Sequence, residues 1–462
     1  MASAATQTEK TELFERTPVP AALAKLAVPT IVSQLITLIY NVADTWFIGR
    51  TNNPYMVAAS SLVLTVFLMT TSLANLFGVA GGTLAVPLLG SKQEEEARKV
   101  ASLSLTMAAA ASVVFSLVCL VFMNPLLRLL GASDNTIGYA RQYLLFVVVI
   151  GCLPTVMSNV MSAMLRNMGY SREAAFGLGM GGIMNVMLDP IFMFAVLPAG
   201  FEVMGAGIAT MLSNTIAMGY FIVIYRRVQR DSVLEIPRRI ERISRGSMQS
   251  LFAVGVPAAL SILLFDVTNM FINRMAASYG DFQLAAVGIV LKVERLPLNI
   301  GVGIGLGMVP LVAYNFASGN RKRMNDFFTA ARVAGVAVAV CSVGLYYMAA
   351  PWLIQVFIED AATVGYGIEF LRARCFATPF MFLSFNMVHF MQAVGKGRVS
   401  FWLAVIRQLC LNIPLLFVMN YLFGMSGIVH TQMIADFLNV IVSYIIYFRV
   451  VKTLDKIPGR KQ

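Results

Sequence analysis

Apolar stretches long enough to cross a bilayer recur at nearly even intervals along this chain, and nothing else in the sequence limits its fold as tightly. In hydrocarbon a spanning segment must satisfy its own backbone, which leaves helices or closed barrels. The stretches lie at about 23–48, 56–88, 98–123, 138–165, 172–197 and 203–226. A second set follows at about 248–278, 282–312, 326–350, 364–392, 398–419 and 425–449. Their lengths suit helices rather than barrel strands. The expected fold is an all-α integral membrane protein with twelve transmembrane helices. Composition agrees: charged residues are 13% of the chain, about half the share of a soluble domain, and mean hydropathy is +0.75.

The net charge of +12 does not point to nucleic acid, because the basic residues sit in short clusters between apolar runs. Lys92, Arg98 and Lys99 follow the second span, and Arg166 and Arg172 flank the loop after the fourth. The long central loop holds Arg226, Arg227, Arg230, Arg238, Arg239, Arg242 and Arg245. Arg321, Lys322 and Arg323 follow the eighth span, and Lys396 and Arg398 the tenth. The alternate loops carry little beyond Arg128, Arg274 and the Glu359–Asp360 pair. The positive-inside bias therefore places both termini and the central loop in the cytoplasm. Glu9, Glu12 and Glu15 with no apolar core mark a soluble tail rather than a signal peptide.

Five isolated cysteines and two histidines, His389 and His430, indicate neither a disulfide framework nor a metal centre. The glycine-rich runs Gly78–Gly82, Gly177–Gly182 and Gly301–Gly307 lack the strand and the Gly-Lys-Ser/Thr of a phosphate loop, so they read as helix packing or hinging. No nucleophile or metal constellation suggests an enzyme, and no cofactor is expected.

The two sets of six spans look like one ancestor duplicated. Gly78-Val79-Ala80-Gly81-Gly82 before Pro87 mirrors Gly301-Val302-Gly303-Ile304-Gly305 before Pro310. Met164 to Gly169 mirrors Phe390 to Gly395, Gly138-Tyr139 answers Gly365-Tyr366, Pro154 answers Pro379, and Gly207 answers Gly427. All these pairs are offset by 220 to 227 positions. An even number of spans per repeat relates the halves by a pseudo-two-fold axis along the membrane normal, as in alternating-access transporters. The expected partition is a tail over 1–22, an N-lobe over 23–226, a basic linker over 227–247, a C-lobe over 248–449 and a tail over 450–462.

Ionisable side chains inside a span are costly, so each must face an aqueous cavity or a partner. Asp44 lies late in the first helix, Asn185 and Asp189 share one face of the fifth, and Pro190 then frees a backbone carbonyl beside the acid. Asp266 in the seventh helix occupies a place comparable to Asp44. The eighth helix carries Lys292, Glu294 and Arg295, read as a structural ion network or part of a cavity, and Lys292 or Arg295 could neutralise Asp266. Arg407 and Asp436 are read as packing, and His389 as a hydrogen-bonded core histidine. Asp44, Asp189 and Asp266 all belong to the outer half of the membrane, where closure would desolvate them. Removing a carboxylate from water favours its protonated form, as a site exchanging protons, sodium or a cationic solute requires.

Taken together, these residues resemble the MATE (multidrug and toxic compound extrusion) family, and the second half resembles its bacterial MepA-like branch. The resemblance is carried by Ala27-Val28-Pro29 through Gln34 to Asp44-Thr45, by Asn185…Asp189-Pro190, and by Gly205-Ala206-Gly207-Ile208-Ala209-Thr210. Pro257…Asp266-Val267-Thr268, Gly395-Lys396-Gly397-Arg398 and Arg407-Gln408 extend it over nearly the whole chain. It implies a V-shaped pair of six-helix lobes in the bacterial cell membrane, acting as a monomer. It also implies export of lipophilic, often cationic drugs in exchange for protons or sodium. On the same ground Asp44, Asn185, Asp189 and Thr210 would form a cation or proton site, with sodium possible at Asp44, Asn185 and Asp189. Asp266, Gln34, Tyr40, Lys292, Glu294 and Arg295 would serve coupling or the substrate cavity. Some members carry a further acid in the tenth helix; here Met381–His389 contains Asn386 instead, which favours protons. A lipid-linked saccharide flippase of the same superfamily is the alternative, to which Arg295 and Arg407 would contribute.

Overall fold

The computed structural model describes residues 12–454 apart from 52, 92, 230–231, 236–244 and 359. Lys92, Arg230, Arg238, Arg239, Arg242, Glu9 and Glu359, on which the reading of tails and orientation partly rests, lie outside the described residues. So do most of the expected 227–247 linker and much of both expected tails. Among the described residues there is no strand.

The first repeat contains α1 (Val19–Gly49), α2 (Pro54–Gly90), α3 (Glu94–Val121), the short α4 (Met123–Leu129), α5 (Ile137–Leu144), α6 (Cys152–Asn167), α7 (Ser171–Pro190) and α8 (Glu202–Val228). The second contains α9 (Arg245–Ala277), α10 (Asp281–Ala317), α11 (Arg321–Gln355), α12 (Ala361–Cys375), α13 (Thr378–Ala393), α14 (Gly397–Val405) and α15 (Ile413–Leu454). Three π-helical turns interrupt them, at Leu145–Ile150, Ile191–Val196 and Ile406–Asn412.

Local sequence sets the helix ends. Asn53 accepts from the Tyr55 N–H with Pro54 opening α2, and Asn320 accepts from the Arg323 N–H at the start of α11. Asp360 caps α12 through the Thr363 N–H and hydroxyl, both at 2.8 Å, and these bonds hold its carboxyl below its ordinary range. Gly169 and Gly395, matched in the sequence repeat, both close their helices in the left-handed region, at φ +86° and +74°.

By length and hydropathy nine helices qualify as spans among the described residues, or ten when Ile137–Ile150 and Cys152–Asn167, bent by 46°, count as one. This falls short of the expected twelve for two physical reasons. Residues 361–393 form two shorter helices, α12 and α13. Residues 397–451 form one continuous apolar run, folded back at Gly424, whose φ of +60° and ψ of −137° break the helix. Large apolar side chains point outward throughout, as Val114, Leu117 and Val121 do on α3 and Val340, Met348 and Trp352 on α11. Only lipid makes such a surface stable.

The chain divides into two compact units. Unit 1 comprises residues 1–17 and 32–259, and unit 2 residues 18–31 and 260–462. The division departs from the sequence partition at the first helix of each repeat. Residues 18–31 of α1 go with unit 2, and α9 up to Ala259 goes with unit 1. In unit 2 the reason is contact distance: a Cβ on Gly303 or Gly307 of α10 would stand 2.9 Å from the Ile31 Cα or 2.6 Å from the Ala27 Cα. In unit 1 the Phe77 and Phe252 rings meet edge to face at 6.1 Å.

Each unit has its own core, and the cores share a register. Ala59, Val63, Val66, Tyr143, Leu144 and Val148 in unit 1 answer Ala286, Val290, Val293, Phe370, Leu371 and Cys375 in unit 2 at one constant offset. On α2 and α10 this offset of 227 stands one helical turn from the 223 that aligns Gly78 with Gly301 and Pro87 with Pro310, so the packing side chains repeat in a register of their own.

Gly307→Val should overpack the α1–α10 contact and lower stability by about 1–3 kcal/mol, read as a drop in melting temperature in detergent. Gly288→Ala on the same helix, with nothing within 4 Å of its Cβ, should leave the melt unchanged.

Candidate functional site

Unit 1 gathers a polar centre from α1, α5, α7 and α8. Asn185 and Asp189 are one helical turn apart on α7 and are 2% and 0% exposed. The Asn185 amide donates at 3.3 Å both to Asp189 Oδ1 and to the Thr210 hydroxyl on α8. Asp44 on α1 accepts from the Tyr143 hydroxyl at 3.2 Å and is close enough to Asp189 to interact electrostatically. Pro190 and the π-helical turn after it widen α7 directly beyond the acid.

The structure therefore brings together Asp44, Asn185, Asp189 and Thr210. Three of their buried oxygens, Asp44 Oδ1, Asn185 Oδ1 and Asp189 Oδ2, meet no hydrogen-bond donor. A buried acceptor left open is costly, and one beside a second carboxylate more so. A proton or a hard monovalent cation supplies what such an oxygen-only set lacks. Among the described residues no group of His, Cys, Asp and Glu gathers as a transition-metal site would.

Beside this centre lies a cavity of about 430 Å³, its open mouth included, lined by Thr37, Tyr40, Asn159, Asn185, Thr210 and Asn214 among others. Gly182 makes room for it: a Cβ there would stand 2.8 Å from the Tyr40 ring. Tyr40 thus lines the cavity, whereas Gln34, half-buried on the same helix, is not among the lining residues.

Asp266 and Thr45 lie on α9 and α1, but their side chains are outside the described residues. Lys292 and Arg295 are exposed, whereas Glu294 between them is half-buried. Glu294 takes a bidentate ion pair from Arg374 on α12, at 2.8 and 2.9 Å. Tyr143 and Arg374 escaped the sequence reading. Arg374 was open to discovery as a charge inside an apolar span, whereas Tyr143 looks like any packing aromatic. In unit 2, Asp436 accepts from Arg407 and Gln432, and the His389 ring lies 2.7 Å from the Phe385 carbonyl.

The sequence model of the MatE family matches residues 29–191 and again residues 257–418. The chain belongs to the MatE family. The double match covers the two halves separately, as a duplication requires. Among curated relatives, Multidrug export protein MepA of Staphylococcus saprophyticus is 30% identical, covering 97% of this chain and 98% of its own. MepA of Staphylococcus aureus is 29% identical over 95% and 96%.

Solved structures similar in fold include an outward-facing multidrug resistance MATE family transporter of the MOP superfamily. It has a TM-score of 0.90 at 23% identity, covering 96% of this chain and 98% of that one. A mutant form of the Vibrio cholerae MATE transporter VcmN gives 0.88 at 17% over 96% and 98%. This MatE protein is accordingly an all-α, multi-span membrane protein of two-lobed family fold. The flippase alternative is not favoured: the full-length relatives are named for drug export, and Arg374 and Arg407 are each neutralised by a carboxylate.

Arg374→Ala should cost ~3–5 kcal/mol by leaving Glu294 buried and unpaired, seen as a lower melting temperature. Adding Glu294→Ala should recover a large part of that loss in a double-mutant cycle.

Proposed function

We propose that this protein exports lipophilic, often cationic compounds across the bacterial cell membrane by alternating access, in exchange for protons or sodium bound at Asp44, Asn185, Asp189 and Thr210. The three buried oxygens without donors carry this reading. A proton or cation arriving from outside satisfies them, and its loss on the cytoplasmic side leaves them open again. Family membership and relatives named as multidrug export proteins support the substrate class. The protein works as a transporter and not as an enzyme.

Protons are preferred over sodium because Asn386, not an acid, stands in α13, its amide 3.7 Å from the Met308 sulfur. The drive is ample: a charge moving with the membrane potential gains ~2.3 kcal/mol per 100 mV, and ~1.4 kcal/mol already sustains a tenfold gradient. The Thr37–Tyr40 cavity is lined in part by Asn185 and Thr210 of the ion site, which is where substrate and ion would compete. The same reading takes the chain as a monomer of two six-helix lobes, with both termini and the basic central loop cytoplasmic. Residues 361–393 then form one broken span, and residues 397–454 two.

Purified protein in liposomes should move ethidium when a pH gradient is imposed, and Asp44→Asn or Asp189→Asn should reduce the rate about tenfold or more, the effect of losing ~1.4 kcal/mol. Transport driven by a sodium gradient alone would reassign the ion. Wild-type rates in both variants would remove the site.

A further inference from the structure

Because the two cores share a register, each polar group of the unit 1 centre has a counterpart position in unit 2. Phe370 answers Tyr143 in the shared core register, and Asp266 answers Asp44 in the sequence repeat, its side chain lying outside the described residues. Gln408 and Asn412 keep the four-residue spacing of Asn185 and Asp189, at an offset within that of the repeat. The second repeat has thus replaced Asp189 by Asn412 and the phenol of Tyr143 by a phenyl ring.

The framework of the centre persists nonetheless. The Asn412 amide donates to Gln408 at 3.4 Å and across to Gln432 on α15 at 2.9 Å, as the Asn185 amide reaches Asp189 and Thr210. Among the described side chains the carboxylate there is Asp436, with no exposed surface, accepting from Arg407 Nε and from the Gln432 amide. Arg407 immediately precedes Gln408, is 4% exposed and sits 4.6 Å over the Phe385 ring. The π-helical turn Ile406–Asn412 buries Arg407, Gln408 and Asn412 together. A guanidinium does not give up its proton, so this charge is fixed.

We propose that the centre around Asp436 is the second repeat's cation site, with the Arg407 side chain acting as its permanently bound cation. Mobile coupling ions are then confined to unit 1, and removing Arg407 opens a second site for a small cation or a proton. The proposal rests on the reading of Asp44 and Asp189 as the ion site. Among the described side chains other charged groups of unit 2 are engaged elsewhere: Arg374 pairs with Glu294, Arg332 donates to the Tyr444 hydroxyl, the His389 ring meets the Phe385 carbonyl, and the half-buried His430 ring lies 2.8 Å from the Ser426 carbonyl.

The test uses detergent-purified full-length protein carrying Asp44→Asn and Asp189→Asn, whose ion binding is silenced. Adding Arg407→Ala should create one saturable signal, as bound radiolabelled sodium or guanidinium, or as the infrared band of a protonated carboxyl. Asp436→Asn should abolish that signal, and Arg407→Lys should not produce it. If Arg407→Ala elutes aggregated, Arg407→Gln, which still donates to Asp436, carries the same readouts. A folded variant lacking Arg407 and showing none of the three signals overturns the proposal. So does sodium binding that depends on Asp436 while Arg407 is present. Failure of the unit 1 reading appears separately, as wild-type ion binding left unchanged by Asp44→Asn and Asp189→Asn, and it would remove the premise as well.

Discussion

A carboxylate inside a bilayer must be answered by something, because hydrocarbon offers neither donors nor counter-ions. That demand orders the polar interior of this protein. In unit 2 the answer is built in: Asp436 takes Arg407 and Glu294 takes Arg374. In unit 1 it is incomplete, since Tyr143 and Asn185 reach one oxygen each of Asp44 and Asp189 and leave the others open. An interior that closes Asp436 and Glu294 and leaves Asp44 and Asp189 open beside each other has a place for a mobile charge.

The duplication explains how both answers arise on one scaffold. The paired cores and the left-handed Gly169 and Gly395 show that backbone and packing were retained together. Core positions resist change because close-packed interiors lose stability with each altered methylene. Polar groups can be exchanged where the volume of the side chain is nearly kept, and the repeats diverge there, with Asp189 against Asn412 and Tyr143 against Phe370. The first helices add a further tie. The approach of Ala27 and Ile31 to Gly307 and Gly303 makes the start of α1 part of unit 2, while its end holds Asp44 in unit 1. One continuous helix therefore belongs to both units, and a change of charge at Asp44 acts on an element that both share.

Much of this was legible in the sequence because lipid enforces a simple code. Spans are long apolar runs, so helix positions and the all-α class could be read directly. An acid inside a run stands out, so Asp44 and Asp189 draw notice without coordinates, with the Asn185 amide one helical turn before the latter. What escaped notice was whatever depends on partners. Lys292 and Arg295 are neighbours of Glu294 in sequence, but the helix turns them to an exposed face and brings Arg374 from α12 instead. Tyr143 carries no polar signature in an apolar stretch. The allegiance of residues 18–31 rests on backbone approach at Gly303 and Gly307, which hydropathy does not encode. The fold-back at Gly424 is a single left-handed residue within an otherwise unbroken apolar run.

The contrast between a tethered and a mobile cation bears on how such a protein couples ion movement to export. A site that fills and empties changes the electrostatics of its lobe on every cycle. A site closed by its own arginine does not. Coupling needs a differential: an ion shifts an equilibrium only if it binds one state better than another. Two mobile sites would double the charge moved per cycle, but both would have to fill before the cavity changed its exposure. One mobile site with a rigid counterpart lets a single binding event bias the transition, while the second repeat supplies a fixed frame against which the first can change.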